Sequence, residues 1–310
     1  VKRSRTPARV AALTGLFVCA AACAKVAGID DLEIGQCKGG LCTGDAGPTD
    51  DVTPEDGDVL EPTGDGGLAD ALAEPCPAAK GSPMVRVGSP ANNFCIDATE
   101  ATVADYRAFT TEKGTDVSGQ PPQCAWNTSY AAAFGGADDI PIAGIDWCDA
   151  YAFCKWAGKR LCGKQTNNTF AGPVRAADLN DFNSHEWLLA CSAQGQLRYP
   201  YGSIQKPSAC NTGENDAGKS LPVRSKPECV GGYPGLYDLV GNLWEWYDGP
   251  CVAGDAGADA GDAGGPAKEE CYVKGGAFAN VGTNLDCRAE GRGATRDRRG
   301  QDIGVRCCAD

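Results

Sequence analysis

Residues 235–246 read GLYDLVGNLWEW and bring the carboxylates of Asp238 and Glu245 and the amide of Asn242 into a dozen positions. Gly235 and Gly241 free the backbone there, and Trp244 and Trp246 add large rings. Oxygen donors so close together on a permissive backbone suit a hard cation. Calcium takes about six to eight oxygens, drawn from carboxylates, amides and main-chain carbonyls. The competing reading is a tight turn with buried rings and no metal.

Sulfur is the other abundant chemistry, with eighteen cysteines in 310 residues. No CxxC pair occurs and His185 is the only histidine, so paired zinc knuckles and histidine-rich metal sites are excluded. His185, beside Glu186 and Trp187, reads as a helix start rather than a catalytic base. Asp97, Glu100, Asp146 and Asp149 are carboxylates with no specific partner in the sequence, and solvated or capping roles are expected of them. The run GRGATRDRRG carries Arg292, Arg296, Arg298 and Arg299; it suits either an anionic glycan or carboxylate, or a solvated basic loop on an acidic protein.

The elements that must position these groups are short. Residues 102–114 (TVADYRAFTTEKG) place Val103, Tyr106 and Phe109 on one helical face, with Gly114 as the stop. A second helix is predicted over 146–160, with Trp147, Tyr151, Cys154 and Ala157 at helical spacing, and a third over 184–193 with Ser184 as N-cap. Strand patterns are brief: MVRVGS, FCIDATEAT, CYVKGGAFA and GVRCC. The rest is Gly, Pro, Asn and Asp. These features predict an α+β domain of low regularity, held by cross-links and metal rather than by a large sheet.

Outside this region the chain reads as an address and a spacer. Residues 1–22 resemble a signal peptide: Lys2, Arg3, Arg5 and Arg9 precede an apolar run too short to span a membrane. Ala20-Ala21-Ala22-Cys23 resembles a bacterial lipobox, with Ala20 where Leu is usual, which makes Cys23 the lipid-bearing residue; a plain signal peptide cut nearby is the alternative. Residues 23–75 are rich in Gly, Pro and Asp. Thirteen acids there face only Lys25 and Lys38, and so little apolar surface predicts a disordered acidic tether. The tether therefore holds most of the net charge of −13, and nucleic acid, which wants a basic patch, is not an expected partner. Sixteen cysteines remain if Cys19 leaves with the leader and Cys23 is lipidated, an even count that implies a disulfide framework in an exported chain. A low-complexity insertion at 251–271 is expected to be closed by Cys251–Cys271, and Cys210–Cys229 to close a loop in the same way.

Several motifs from residue 80 to the C-terminus, in order, resemble one family. They are CIDATEATVADYRAF, IPIAGIDWCDAYAFCKWAGKRL, HEWLLACSAQGQLRYPYG, ACNTG, GLYDLVGNLWEW, VKGGAF and CRAEGR…IGVRC. The chain is identified by them as resembling the formylglycine-generating enzyme, or sulfatase-modifying factor, family, with the domain at 76–310. The resemblance implies an irregular α+β, C-type-lectin-like fold, low in regular secondary structure. It implies structural calcium held by the side chain of Asp238, the carbonyls of Gly241 and Leu243, and the side chain of Glu245. A second site would use Asn211, the carbonyl of Thr212, and Asn215 or Asp216, in a loop that is shortened here. It also implies the bridges Cys154–Cys307 and Cys191–Cys287, worth on the order of 2–4 kcal/mol each. By elimination, Cys162–Cys308, Cys124–Cys148, Cys76–Cys95 and Cys37–Cys42 complete the set.

The family's oxidase uses two thiolates for Cu(I), a soft ion that selects sulfur, in a pattern GGS-x-x-C-x-x-x-x-C. Here the stretch is KGGAFANVGTNLDC, and the two positions fall on Asn280 and Leu285. Copper is therefore not expected. A second branch of the superfamily needs a separate three-histidine iron domain, which one histidine cannot supply. The expectation is a lipid-anchored or secreted envelope protein whose domain is non-catalytic and binds a peptide or glycan. Phe278, Asn280, Asn284 and Arg288 line the family's groove by position. The alternatives are a divergent oxidase acting on protein cysteine and a purely structural lipoprotein.

Overall fold

The computed structural model describes residues 74–215, 218–253 and 269–310, all within one unit, Leu60–Asp310. The leader, the tether, Cys23, Cys37, Cys42, Asp216 and most of the 251–271 insertion lie outside the described residues, as do the side chains of Asn284 and Arg292. No described helix is long and apolar enough to cross a membrane.

The chain begins with the hairpin β1 (Met84–Ser89) and β2 (Asn92–Asp97), followed by α1 (Val103–Lys113). Helix α1 starts where Thr102 and Asp105 bond reciprocally, each side chain accepting from the other's backbone N–H, and it stops at Gly114 with φ +57°. Helix α2 (Trp147–Trp156) starts on the same device built from Asp146 and Asp149. Its inner face carries Phe153 and Cys154 against Tyr106 and Phe109 of α1, with Phe109 and Phe153 edge to face at 5.8 Å. Each such buried ring contributes about 1.5–3 kcal/mol by leaving water.

Short strands follow: β3 (Arg160–Leu161), β4 (Lys164–Thr166) and β5 (Thr169–Gly172). Helix α3 (Glu186–Ser192) is capped by His185, not Ser184: the imidazole Nδ1 accepts from Leu188 N at 3.5 Å. Ser184 is turned away, its hydroxyl donating to Asp181 at 2.5 Å. The C-terminal third supplies β6 (Trp244–Ala253), β7 (Glu269–Lys274), β8 (Glu290–Thr295), β9 (Ile303–Val305) and β10 (Cys307–Ala309). Two four-stranded sheets result, in the orders β1-β2-β10-β3 and β8-β7-β6-β9, with β4-β5 as a separate hairpin. Among the described residues, only the β6–β9 pair is parallel.

GVRCC thus does not form one strand. The chain passes from the second sheet to the first at Arg306, which separates β9 from β10. Arg306 is fully buried. Its guanidinium bonds Glu245 of β6 at 2.9 Å, the Asp97 carbonyl of β2 at 2.8 Å and the Tyr237 carbonyl at 2.8 Å. One side chain pins both sheets to residues 235–246.

Seven disulfides join Cys76–Cys95, Cys124–Cys148, Cys154–Cys307, Cys162–Cys308, Cys191–Cys287, Cys210–Cys229 and Cys251–Cys271. They use all fourteen described cysteines, so no free thiol remains among the described residues. The Cys154–Cys307 and Cys162–Cys308 bridges span 153 and 146 residues and tie β10 to α2 and to the residue after β3. The result is an irregular, disulfide-rich α+β fold, as the resemblance implies.

Candidate functional site

Residues 235–246 fold as a turn that runs into β6. Asp238, Gly241 and Asn242 all take positive φ, at +57°, +81° and +59°. Gly241 is required for more than its φ: a Cβ there would lie 2.4 Å from the Asn211 carbonyl oxygen. The loop at 211–215 packs against this turn, with Asn242 N donating to Asn211 O at 2.8 Å and Asn211 Nδ2 donating to Asn242 Oδ1 at 2.9 Å. The segment after Lys274 closes on both. Gly241 N donates to Gly275 O at 3.0 Å, Phe278 N to Asn242 O at 2.9 Å, and Gly213 N to Asn280 O at 2.9 Å. Three stretches far apart in sequence therefore converge: both expected calcium loops and the segment that aligns with the family's copper residues.

The chemistry of the first loop is a buried cluster of acids around one arginine. Glu245 accepts from the Arg306 guanidinium at 2.9 Å and from the Trp187 indole at 2.6 Å. Glu100 accepts from Leu243 N at 3.0 Å and from Asn242 Nδ2 at 2.9 Å, which fixes the turn. Asp238 accepts from Arg224 N at 2.7 Å. Burial, followed by the charges of Asp238 and Glu245, raises the Glu100 pKa well above the usual carboxylate range, and burial raises Asp238 to about 6. Glu100 and Asp97 are therefore not solvated: Asp97 is buried and paired with Lys159 at 2.5 Å. Nor was Glu100 legible as part of the turn, since a lone acid among small residues in CIDATEAT carries no spacing signal.

Oδ1 of Asn211 is buried without a hydrogen-bond partner, which suits a cation, but only Glu245 of the three buried carboxylates bonds the guanidinium, and among the described residues no group of three or more His, Cys, Asp or Glu side chains is placed to hold a metal ion. Glu245 is shared with Arg306, which competes for its oxygens. Asn215 uses its amide nitrogen on the Thr212 hydroxyl at 3.4 Å, and Asn215 N bonds the Thr212 carbonyl at 3.0 Å.

The copper positions hold no ligand for a soft metal. Asn280 Oδ1 accepts from Ala277 N at 2.8 Å, so the amide closes its own turn. Leu285 is buried at 2% exposure in the cluster that contains Trp187, Leu188 and Leu239. Cys287 is bridged to Cys191.

The expected groove residues do not line one surface. Phe278 packs on Ala143 and Leu243 and lines a cavity of 170 Å3 with Val103, Phe134, Ile140, Lys219 and Gln301. Arg288 lines a different cleft, of 320 Å3, with Arg198 and Asp286, and its guanidinium lies 5.0 Å over the Phe182 ring. Asn280 borders neither of them. The basic run is paired rather than open. Arg296 meets Glu269 at 3.1 Å, Arg298 meets Asp302 at 2.9 Å, and Arg299 meets Asp146 at 2.8 Å and Asp149 at 3.1 Å. His185 is fully buried, stacked on Tyr247 at 5.0 Å.

A formylglycine-generating-enzyme-like frame with no thiol at either copper position defines the class of the domain. A family model described as the sulfatase-modifying factor enzyme 1-like domain matches residues 49–310, and the chain belongs to that family. It is 30% identical over 190 residues to the formylglycine-generating enzyme of Bos taurus, a match covering 56% of this chain and 44% of that protein. It is 31% identical over 123 residues to the inactive C-alpha-formylglycine-generating enzyme 2 of Bos taurus, covering 35% of this chain and 32% of that one. The matches span less than half the length of these relatives. Among solved structures, CarF is similar at a TM-score of 0.44 and 19% identity, over 70% of this chain and 86% of that one.

Proposed function

We propose that the chain is a non-catalytic recognition domain, exported and held at the cell envelope by a lipid on Cys23, that binds a peptide in the Phe278 cavity. One observation carries the reading: Asn280 and Leu285 are bound into a turn and a core, and every described cysteine is in a disulfide. Cu(I) needs soft ligands that this cleft lacks. The cavity's apolar walls of Val103, Phe134, Ile140 and Phe278, rimmed by Lys219 and Gln301, suit an apolar peptide side chain with polar backbone contacts at the edge. Calcium, in this reading, is structural. It is held by the Asp238 turn and the Asn211 loop and keeps the floor of the cavity in place.

The test is a Cu(I) titration of the full chain under mild reduction, followed by oxygen uptake on a cysteine-bearing peptide. No uptake and no aldehyde are expected, and aldehyde on the peptide would overturn the proposal. A peptide library screened against the protein and its Phe278→Ala variant tests recognition, with binding expected only to the unsubstituted chain. Fatty-acid labelling lost in Cys23→Ala tests the anchor.

A further inference from the structure

A second cleft, sharing no residue with the Phe278 cavity, opens between the turn at Pro122–Cys124 and the strands β7 and β8. Its volume is 390 Å3 and its walls are Gln123, Trp126, Glu269, Thr295, Arg296 and Asp297. Trp126 is 45% exposed, where tryptophan is ordinarily well covered. Its ring is nonetheless fixed, because the indole N–H donates to the Gln123 carbonyl at 2.9 Å and Cys124 is bridged to Cys148 of α2.

The opposite wall is equally fixed. The Arg296 carbonyl accepts from Trp147 N at 3.1 Å, and its guanidinium lies 4.6 Å over the Trp147 ring and 3.1 Å from Glu269. That Trp147 ring is itself stacked on Tyr151 at 5.5 Å. A pre-oriented aromatic face therefore stands beside a guanidinium already held by its carboxylate partner, with an amide and a hydroxyl at the rim.

A pyranose ring matches this arrangement. One face of it is a patch of C–H groups, which loses water on stacking against an indole. Its rim is a set of hydroxyls that each donate and accept. Glu269 only accepts, Arg296 only donates, and Gln123 and Thr295 do both. The Glu269–Arg296 pair cancels its own charge and Asp297 adds a negative one, which disfavours an anionic sugar: it would have to displace Glu269 from Arg296 and meet Asp297. The volume sits near the low end of small-ligand sites, about 300–1,000 Å3.

We infer that the Trp126 cleft is a separate binding site for a neutral saccharide. The inference stands or falls independently of peptide recognition at Phe278. The test is calorimetric titration of the full chain with three neutral probes: chitotriose, cellotriose and maltotriose. At least one is expected to bind saturably, and Trp126→Ala is expected to weaken it by about tenfold or more. Trp126→Phe should retain most of the affinity, and thermal unfolding of both variants should stay close to the parent's because the half-exposed ring bonds only the nearby Gln123 carbonyl. Phe278→Ala should leave sugar affinity unchanged. The inference is overturned if none of the three sugars binds, if binding survives Trp126→Ala, or if it is lost in Phe278→Ala.

Discussion

Two neighbouring stretches descend from the same family pattern and have had opposite fates. Residues 235–246 keep every side chain that the frame needs. Glu245 holds Arg306 and Trp187, Asn242 holds Glu100, and Gly241 lets the Asn211 loop approach. Residues 275–287 keep the path of the chain, with Gly275, Phe278 and Asn280 bonded to the same two loops, yet hold Asn280 and Leu285 at the two copper positions and Cys287 in a bridge to Cys191. The lesson is that backbone course and reactive side chains are separable here. The frame is fixed by hydrogen bonds and disulfides, none of which needs a thiol at position 280 or 285.

The comparison breaks most sharply at Arg306. If it is the pin between the two sheets, Arg306→Ala leaves Glu245, Glu100 and Asp238 buried without their cation. The expected loss is about 3–5 kcal/mol in urea unfolding with the disulfides intact. Arg306→Lys should recover little of it, since one ammonium cannot reach Glu245, the Asp97 carbonyl and the Tyr237 carbonyl together. A variant of either kind with parental stability would show that the sheets are held elsewhere.

The copper positions give the next effect, and they sharpen the contrast because one is core and one is turn. Leu285→Ala should cost about 2–5 kcal/mol, as for other buried leucines. Asn280→Ala should cost about 1 kcal/mol, the value of its bond to Ala277 N. If position 285 faced an open cleft instead, its truncation would change stability by no more than about 0.5 kcal/mol.

The calcium proposed here tests the other stretch. At a free concentration about a hundredfold above its dissociation constant, a bound ion stabilises by about 2.7 kcal/mol. The unfolding temperature should therefore rise with calcium and fall with a chelator, and Asp238→Asn and Asn211→Ala should each blunt that response. An identical response in both variants would remove the ion from this turn.

Much of this was legible in the sequence, and the reasons for the exceptions are physical. The helices at 103–113 and 147–156 showed through their spacing, the first also through its stop at Gly114, and the strand at 84–89 through its boundaries. Strand β6 did not. Trp244, Glu245 and Trp246 are all buried, so polarity has no period of two to reveal. β9 and β10 read as one strand because a single residue, Arg306, carries the change of sheet. The long bridges Cys154–Cys307 and Cys191–Cys287 came from the resemblance, not from spacing. The groove did not transfer either, because Phe278 and Arg288 flank a segment whose path leads them to different surfaces.

The smallest expected effect is a dependence on pH that belongs to the frame. Burial, opposed by Lys159, lifts Asp97 from 3.8 to about 6, and burial with the neighbouring charge of Asp146 lifts Asp149 to about 7. Each is raised relative to the unfolded chain. Between the two values the folded state keeps a proton that the unfolded state has lost. Stability is thus fullest below about pH 4 for these groups and declines as pH rises toward 7. Exposed Asp116, lowered to about 2 chiefly by its bonds to Ser118, works in the opposite sense only in strong acid. The urea midpoint should therefore fall from pH 5 to pH 8. Asp149→Asn should flatten the upper part of the curve and leave the lower part, set by Asp97, in place. A midpoint that instead rises across this range would mean that both carboxylates are ionised and fully compensated in the folded chain, and that Lys159 and Arg299 bind them more strongly than burial opposes.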